Sequence, residues 1–221
     1  MSTDIPTIVI PYRNRQSHLS CLLARLHDFQ VIVVEQMDDR PFNRGALLNI
    51  GYVQARNRGA TRVILHDCDL VPDDTLLAMY KEPWPRRIVH FGARFRRYNN
   101  SNNYFGGVHG FEHGYFPGYP NNFWGWGGED DALRKRVPFR HVTYARQGEY
   151  FDLEGFRYPS HKLRSLTRAQ KCNNKWELLK HDNMHEDNHR IAKDVQWQVQ
   201  WKPCRDNVQY GQVTFTHSSH S

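Results

Sequence analysis

Hydrophobic residues in the first third of the chain follow two alternating patterns. Residues 7–10, 31–34 and 62–65 form short β-branched and aliphatic runs, which predict buried strands. Leucines at helical spacing follow the first run, and residues 43–58 carry a helical apolar stripe that Gly59 would end. Strands that alternate with helices are typical of βα units around a largely parallel sheet, so the predicted fold class is α/β.

The pattern loses its regularity after Pro72. The Asn-rich residues 99–103 and the Gly-rich residues 106–128 predict long loops, which often carry functional sites. A helix is expected to begin near Glu129, because the three acids there complement the positive end of a helix dipole.

The last part of the chain is predicted to hold an insertion, a helix and a final strand. Residues 155–180 are basic and irregular, the helix lies around residues 187–196, and the strand lies around residues 208–215. A chain of 221 residues has room for one hydrophobic core of ordinary size. We therefore expect a single domain over residues 1–221.

The charge of the chain limits the kind of partner that it can bind, and its cysteines indicate the redox state of its compartment. The 30 Lys and Arg residues against 23 Asp and Glu leave a formal net charge of +7. A basic groove suits a nucleotide diphosphate, an acidic polysaccharide or an anionic membrane surface. The chain has no apolar run of the about 18–20 residues that a membrane span needs, and no signal-peptide pattern. Reduced thiols are favoured, since no CxxC pair occurs among Cys21, Cys68, Cys172 and Cys204.

Two acids directly follow the third predicted strand. In an open α/β sheet, ligands gather at the carboxyl ends of the strands, so Asp67 and Asp69 are expected to face that crevice. Their spacing lets both carboxylates approach one hard divalent ion, which can also bind diphosphate oxygens. A solvated turn after a strand explains the same pair, and the motif alone does not separate the two.

A second motif joins aromatic and glycine residues to three consecutive acids in residues 121–131. Trp126, between two glycines, can stack on the C–H face of a sugar ring. Three adjacent carboxylates repel one another, so at least one of them is expected to lie near a polar or cationic partner or to have a raised pKa, a setting that suits a general base. The alternative places Trp124 in the core and the acids at a solvated helix start.

Five short motifs together point to a family. They are Pro11-Tyr12-Arg13-Asn14-Arg15, Phe42-Asn43-Arg44, Asp67-Cys68-Asp69, Tyr104-Phe105-Gly106-Gly107 and the block from Trp124 to Asp131. In this order and at these intervals they closely resemble the β-1,4-galactosyltransferase family. The resemblance is strong over residues 6–145 and returns around residues 181–210. Each motif alone is weak, but their joint occurrence is highly specific.

This resemblance implies a GT-A fold, in which a Rossmann-like half with a mixed sheet binds a nucleotide sugar and an irregular half binds the acceptor. The donor half would cover roughly residues 1–100, and the acceptor and metal-completing half roughly residues 101–221. The implied reaction moves galactose from UDP-galactose to the 4-hydroxyl of a saccharide or glycoconjugate acceptor, with inversion and with Mn²⁺ as the cofactor.

The resemblance assigns the donor site residue by residue. Arginine suits the diphosphate, because its planar fork can bind two oxygens at once, although Arg13 and Arg15 also read as surface charges after a strand. Tyr104 would sit at the C2 side of the donor sugar, where its bulk favours galactose over the N-acetylated analogue. The implied donor-binding residues are Pro11, Arg13, Arg15, Phe42, Arg44, Asp67, Tyr104 and Trp126.

The implied metal site combines a carboxylate with a histidine. Asp69 would be the direct ligand, and His181, with His185 in reserve, would complete the site, since neutral imidazole is an ordinary Mn²⁺ ligand beside carboxylates. Leu178 or Leu179 stands where many relatives carry a further ligand.

The implied mechanism needs one base. Asp130 would take the proton of the acceptor hydroxyl in a single displacement that inverts the donor linkage. Glu129, the second implied catalytic residue, and Asp131 would hold acceptor and donor hydroxyls. Residues 186–189 look polar where users of N-acetylglucosamine line the acetyl pocket, so the acceptor is closer to xylose, with glucose and N-acetylglucosamine as alternatives. The implied acceptor-binding residues are Trp126, Gly128, Glu129, Asp130 and Asp131.

Two other functions fit part of the sequence. A catalytically silent sugar-nucleotide or glycan-binding domain would keep the same fold, although the intact acids argue against it. Nucleic-acid binding rests on charge and on the basic-aromatic residues 94–98 without a recognised motif, and is not expected. The expected compartment is the cytoplasm if the chain is full length, and a Golgi-type lumen if it is a fragment of an anchored protein.

Overall fold

A computed structural model describes residues 5–94, 104–155, 164–182, 196–203 and 206–216. The helices in these ranges are α1 (Gln16–Arg25), α2 (Arg44–Asn57), α3 (Asp74–Lys81), α4 (Glu129–Arg136) and α5 (Lys175–His181). The strands are β1 (Thr7–Tyr12), β2 (Gln30–Gln36), β3 (Arg62–His66), β4 (Leu70–Pro72), β5 (Ile88–His90), β6 (Val108–Glu112), β7 (Val142–Tyr144), β8 (Tyr150–Asp152), β9 (Gln196–Trp201) and β10 (Val208–Thr216).

Eight strands of the described chain form one mixed sheet in the order β7-β5-β6-β3-β1-β2-β10-β9, while β4 pairs with β8. β1 runs parallel to β2 and β3, as the alternating pattern predicts, and β10 runs parallel to β2. β6 is antiparallel to β3. The carboxyl ends of the three parallel strands β1, β2 and β3 therefore share one edge of the sheet, and Asp67 and Asp69 lie at that edge.

The sheet separates two hydrophobic clusters, because alternate residues of a strand point to opposite faces. Val9 and Ile32 pack with residues of α2 on one face, while Ile8 and Ile10 pack with residues of α1 on the other. A Cβ on Gly51 would overlap the Val9 side chain, so this glycine lets α2 lie directly on β1. Helices on both faces of the central strands confirm the predicted α/β class.

One predicted loop contains a strand of the main sheet. β6 lies inside residues 106–128, where glycines hide its apolar alternation from sequence reasoning. Gly110 is needed there because the rings of Trp84 and Phe91 occupy the space that a Cβ would take. The prediction of continuous loop was therefore wrong at this strand.

The last third of the chain also differs from its prediction. α5 begins within residues 155–180, which were predicted to be irregular, and ends at His181. Its Leu179 is buried in a cluster with Phe123 and Ala132. The predicted helix at residues 187–196 lies outside the described residues, apart from Gln196, which begins β9 instead. The predicted final strand is confirmed as β10.

Membrane and thiol predictions can be compared with the described ranges. None of the helices there combines the length and apolarity that crossing a bilayer requires. Cys21, Cys68 and Cys172 are free thiols, and Cys204 lies outside the described residues.

Three histidines of the sheet are fully buried: His66, His90 and His109. Burial lowers the pKa of His66 and of His90 to about 4, and it lowers the pKa of His109 well below its ordinary value. An unfolded histidine binds a proton below a pH of about 6.5, so unfolding takes up protons there. The stability that these neutral histidines contribute is therefore present above that pH and is lost as the pH falls toward the folded pKa.

Replacing His109 with phenylalanine is expected to reduce this acid sensitivity. Each such histidine costs up to about 1.4 kcal/mol of stability per pH unit below its unfolded pKa, and the variant lacks one of them. The free energy of unfolding, measured with urea, should fall between about pH 7.5 and about pH 5 by about 1–2 kcal/mol less in the variant than in wild type. Equal losses in His109→Phe and wild type would contradict a neutral, buried His109.

Candidate active site

Four charged residues meet at the carboxyl edge of the sheet. Asp67 follows β3, and Arg44 begins α2. Glu129 and Asp130 begin α4. Arg44 Nε lies 2.6 Å from Asp67 Oδ1, and Arg44 Nη1 lies 2.9 Å from Asp130 Oδ1 and 3.8 Å from Glu129 Oε1. We call these four residues the Arg44 cluster, and they unite three of the predicted motifs.

Burial governs the protonation of the Arg44 cluster. It raises the pKa of Asp130 to about 8 and also raises the pKa of Glu129, while the charge of Arg44 opposes both shifts. Burial favours a neutral Arg44 as well, but Asp130 and Asp67 hold the pKa of Arg44 well above its usual value. The raised carboxyl pKa was predicted from repulsion among adjacent acids, whereas the largest cause is removal from water.

Tyr119 joins the cluster without having been predicted. Its ring lies 5.5 Å from the Arg44 guanidinium, and its hydroxyl lies 3.4 Å from Arg44 Nη1 and donates to Asp130 Oδ1 at 3.4 Å. A single Gly-Tyr-Pro sequence carries no signal for such a role, since the contact depends on how the loop before α4 crosses the start of α2.

The start of α2 is anchored by Asn43. Its Oδ1 accepts from the Ala46 N–H at 3.0 Å, which caps the helix. Its Nδ2 donates to the Asn121 carbonyl at 2.7 Å, and its backbone N–H donates to Gln36 Oε1 at 2.9 Å. Asn43 is therefore bonded to both β2 and the aromatic motif, which fixes the backbone position from which the Arg44 side chain extends.

Two glycines let α4 begin inside the crevice. Gly127 and Gly128 have φ values of 109° and 99°, in the left-handed region that favours glycine. A Cβ on Gly128 would also overlap the Phe123 ring. The chain can therefore turn sharply and present Glu129, which is buried, rather than a solvated helix start.

The aromatic residues of the motif divide between core and crevice. Trp124 packs edge-to-face on Phe215, with ring centroids 5.0 Å apart, so the core alternative holds for this tryptophan. Trp126 is half-buried; its backbone N–H donates to the Gln170 carbonyl at 2.7 Å, and its backbone carbonyl accepts from the Cys172 N–H at 3.0 Å. Asp131 is exposed.

Arg15 contacts both Asp69 and Glu154. Sequence analysis selected Arg15 and Asp69 but missed Glu154. Arg15 Nη1 lies 3.8 Å from Asp69 Oδ2 and 2.5 Å from Glu154 Oε1. Asn14, with φ of 50°, reverses the chain after β1 and brings Arg15 to this place. Glu154 follows β8 and belongs to none of the sequence motifs; the pairing of β4 with β8 brings this part of the chain next to Asp69.

Three of the predicted donor-binding residues, Pro11, Arg13 and Phe42, also lie near the ends of β1 and β2. Pro11 is buried within β1, and the Arg13 guanidinium lies 5.3 Å from the Phe42 ring centroid. Arg13 Nη1 donates to the Arg40 carbonyl at 2.6 Å, and the Phe42 carbonyl accepts from Gly125 N–H at 2.9 Å. An arginine face next to an aromatic ring can bind a planar base or an anion.

Tyr104 and its glycines form one wall of the crevice. A Cβ on Gly106 would overlap both the Asp130 carboxylate and the Tyr104 ring. The Gly107 carbonyl accepts from the Asp67 N–H at 3.2 Å and from Arg44 Nη2 at 3.4 Å. The Tyr-Phe-Gly-Gly motif thus touches the Arg44 cluster directly.

The metal ligands predicted by resemblance are only partly brought together. Asp67 and Asp69 supply hard carboxylate oxygens, a donor chemistry that fits Mn²⁺. In the described ranges, no group of three His, Cys, Asp or Glu side chains is close enough to form a metal site. His181 ends α5, 74% exposed, with Nε2 2.9 Å from Glu177 Oε1. His185 lies outside the described residues, so the histidine ligand stays a prediction.

Comparisons with known proteins identify the family. A family model described as the N-terminal region of glycosyl transferase group 7 matches residues 2–81, and one described as the N-terminal domain of galactosyltransferase matches residues 86–162. Human (Homo sapiens) β-1,4-galactosyltransferase 4 is 38% identical over 155 residues. The chain belongs to the β-1,4-galactosyltransferase family.

This member of the β-1,4-galactosyltransferase family spans less than half the length of the curated relatives that it matches. The alignment with human β-1,4-galactosyltransferase 4 covers 63% of this chain and 44% of the relative. Human β-1,4-galactosyltransferase 1 is 37% identical over 151 residues, which cover 63% of this chain and 38% of that relative.

Solved structures confirm the GT-A fold. The catalytic domain of Drosophila β-1,4-galactosyltransferase 7, crystallised with xylobiose, has a TM-score of 0.68 at 22% identity and covers 96% of this chain and 93% of that chain. A mutant of the Drosophila enzyme in complex with manganese, UDP-Gal and xylobiose has a TM-score of 0.69 at 20% identity, with the same coverage.

Proposed function

We propose that this β-1,4-galactosyltransferase family member transfers galactose from UDP-galactose to the 4-hydroxyl of a sugar acceptor, with inversion and with Mn²⁺. The Arg44 cluster carries the proposal, because it holds a carboxyl with a raised pKa, Asp130, next to the strand-end acid Asp67. The names of the relatives support the reaction, and the Drosophila complex supports the donor, the metal and a saccharide acceptor. We also propose that residues 1–221 form one catalytic domain.

Asp130 is the proposed general base. The acceptor oxygen attacks the anomeric carbon of galactose while the bond from that carbon to the diphosphate oxygen breaks, and Asp130 takes the hydroxyl proton. A raised pKa makes this carboxylate a stronger base than a solvated one, and the Arg44 hydrogen bond limits the rise. Glu129 and Asp131 hold acceptor and donor hydroxyls, beside Trp126 and Gly128.

The donor side of the site is assigned to basic and acidic residues of the crevice. Asp69, with Asp67 beside it, would hold the divalent ion, and His181, with His185 in reserve, would add an imidazole. When bound, the ion supplies positive charge to the leaving diphosphate. Arg15 lies next to Asp69 and is suited to phosphate oxygens. The other proposed donor residues are Pro11, Arg13, Phe42, Arg44, Tyr104 and Trp126.

A xylose-type acceptor is the proposed first choice. It rests on the polar residues 186–189, which lie outside the described residues, and on the xylobiose in the Drosophila complexes. Glucose and N-acetylglucosamine are the alternatives.

A turnover assay tests the proposal. Purified protein with UDP-galactose and Mn²⁺ is offered xyloside, glucoside and N-acetylglucosaminide acceptors, and the product is examined for its linkage. We expect a β-1,4-linked galactoside with one acceptor class. Tight UDP binding without turnover on any acceptor would instead identify a catalytically silent domain.

Metal dependence gives a separate prediction. Excess chelator should abolish turnover, and Asp69→Asn should weaken Mn²⁺ affinity by about tenfold or more, because one anionic ligand is lost. His181→Ala should weaken Mn²⁺ affinity more than His185→Ala does, measured by titration calorimetry with UDP present. The reverse ranking would identify His185 as the imidazole ligand. Full turnover in excess chelator would show that the reaction does not need the metal.

A further inference from the structure

Two buried histidines lie directly behind the wall formed by Tyr104 and Gly106. His90 ends β5 and is paired in the sheet with His109 of β6. Their rings stack with centroids 4.8 Å apart and planes 12° from parallel, and neither side chain is exposed to solvent. The galactosyl-transfer mechanism proposed above gives neither ring a role.

We propose that His90 is a positioning residue for Asp130, because its imidazole holds the Gly106 peptide against which the Asp130 carboxylate rests. This inference rests on the proposed function, since it concerns how the general base of that reaction is oriented.

The hydrogen bond from His90 has a defined direction. His90 Nε2 lies 3.0 Å from the Gly106 carbonyl oxygen, and a carbonyl can only accept, so Nε2 carries the hydrogen. Burial keeps the ring neutral, with a pKa of about 4, which leaves the other nitrogen, Nδ1, without a hydrogen. The histidine is therefore locked as a single donor aimed at this loop.

The loop that receives this bond touches the reacting groups. Gly106 lies between the Asp130 carboxylate and the Tyr104 ring, with no room for a Cβ between them. The next peptide carbonyl, of Gly107, accepts from the Asp67 N–H and from Arg44. A shift of the Gly106 peptide therefore moves the surface behind Asp130.

The Gly106 carbonyl has few ways to compensate for a lost donor. It also accepts from the Val108 N–H at 3.1 Å, and a Cβ added to Gly92 would lie only 2.7 Å from it. Gly92, which follows β5, thus closes the space on the His90 side of this carbonyl. A replacement of His90 without a donor leaves that side apolar.

His109 provides a matched control for packing. It is as buried as His90 and stacks on it, yet neither of its ring nitrogens has a hydrogen-bond partner among the described residues. A phenylalanine at His109 changes packing at the same layer of the sheet and removes no bond to the loop. The difference between the two positions isolates the hydrogen bond.

The test compares His90→Phe, His90→Gln and His109→Phe with wild type in steady-state kinetics. Misplacing a catalytic group by a fraction of an ångström to an ångström costs about ten- to a hundredfold in rate, so His90→Phe should lower kcat by that factor with little change in KM for UDP-galactose. His90→Gln should recover most of kcat, because its amide N–H reaches about as far as imidazole Nε2–H. His109→Phe should turn over like wild type.

Several outcomes would overturn the inference. Equal kcat in His90→Phe and His109→Phe would show that packing alone matters. If His90→Gln is no faster than His90→Phe, the hydrogen bond to Gly106 does not determine the rate. If His90→Phe does not fold, His90→Asn takes its place, since its shorter amide does not reach Gly106 and should behave like the donor-free variant.

A measurement without turnover separates this inference from the proposed function. Hydrogen exchange is followed at the Val108 and Asp67 amides, which bond to the Gly106 and Gly107 carbonyls. We expect faster exchange at both amides in His90→Phe than in His109→Phe. Equal exchange would overturn the positioning role even if wild type has no activity on any acceptor, whereas absent wild-type activity with the expected exchange difference would contradict only the proposed reaction.

Discussion

Asp130→Asn is expected to lower kcat by about 10²–10⁴-fold, the usual contribution of a general base. The amide keeps the shape of the carboxyl and can still contact Arg44, but it cannot take up the acceptor proton. Affinity for UDP and Mn²⁺ should hardly change, because Asp69, Arg13 and Arg15 do not contact the substituted side chain and Arg44 keeps its ion pair with Asp67.

The pH dependence gives the same prediction a second readout. The base works only when deprotonated, and burial raises the pKa of Asp130 to about 8 in the free enzyme. The wild-type kcat/KM for the acceptor should therefore rise with pH through the neutral range and level off above that value. Asp130→Asn should lose this acid limb together with most of its rate.

Asp74→Asn is a matched control, because Asp74 lies in the first turn of α3 as Asp130 does in α4. Its side chain is 94% exposed and lies outside the crevice. The measurements are the thermal midpoint, with and without UDP and Mn²⁺, and the initial rate at saturating substrates. An Asp130→Asn variant that melts early but turns over normally per folded molecule would leave Glu129 or Asp131 as the base.

Arg44→Met is expected to destabilise the protein by about 3 kcal/mol at neutral pH, since it leaves the buried Glu129 and the partly buried Asp67 and Asp130 without their cation. Arg44 is only 12% exposed and contacts Asp67, Asp130 and Glu129. Without it, the pKa values of Asp130 and Glu129 rise further, because the charge of Arg44 opposes both shifts. The penalty should therefore grow as the pH rises through the carboxyl pKa values and shrink at about pH 5, where the acids stay protonated.

Urea unfolding at about pH 5 and about pH 8 measures this dependence. The double variant Arg44→Met/Asp130→Asn should recover part of the stability lost in Arg44→Met, because one of the stranded charges is gone. Lys81→Met, which breaks the exposed pair with Asp28, is the control and should change stability little at either pH. A loss in Arg44→Met that is the same at both pH values would contradict a charge-based role.

Local sequence determined the elements whose signal is carried by consecutive residues. Unbroken aliphatic runs predicted β1, β2 and β3, because strands buried on both faces of a parallel sheet require such runs. The apolar stripe from Ala46 to Val53 predicted α2. β6 was missed, since its interior Gly110 is chosen to make room for Trp84 and Phe91, residues distant in the chain. α5 was missed because it buries little beyond Leu179.

The candidate site shows the same division. Motif order and spacing selected Arg44, Asp67 and Asp130, which the structure brings together, because each motif is a short local sequence. Partners recruited from elsewhere carried no such signal: Tyr119 against Arg44, and Glu154 against Arg15.

By itself, the sequence determined the α/β class, the family resemblance and which acids stand at the end of a strand and the start of a helix. Only the tertiary structure decided that Arg44 lies between Asp67 and Asp130, where its positive charge limits the rise in the pKa of Asp130. It also decided the raised pKa of Asp130, since its largest cause is burial, and burial is a property of the packed molecule. Consecutive residues in the sequence specify only neighbours along the backbone, whereas the desolvation of a side chain depends on every element that packs over it.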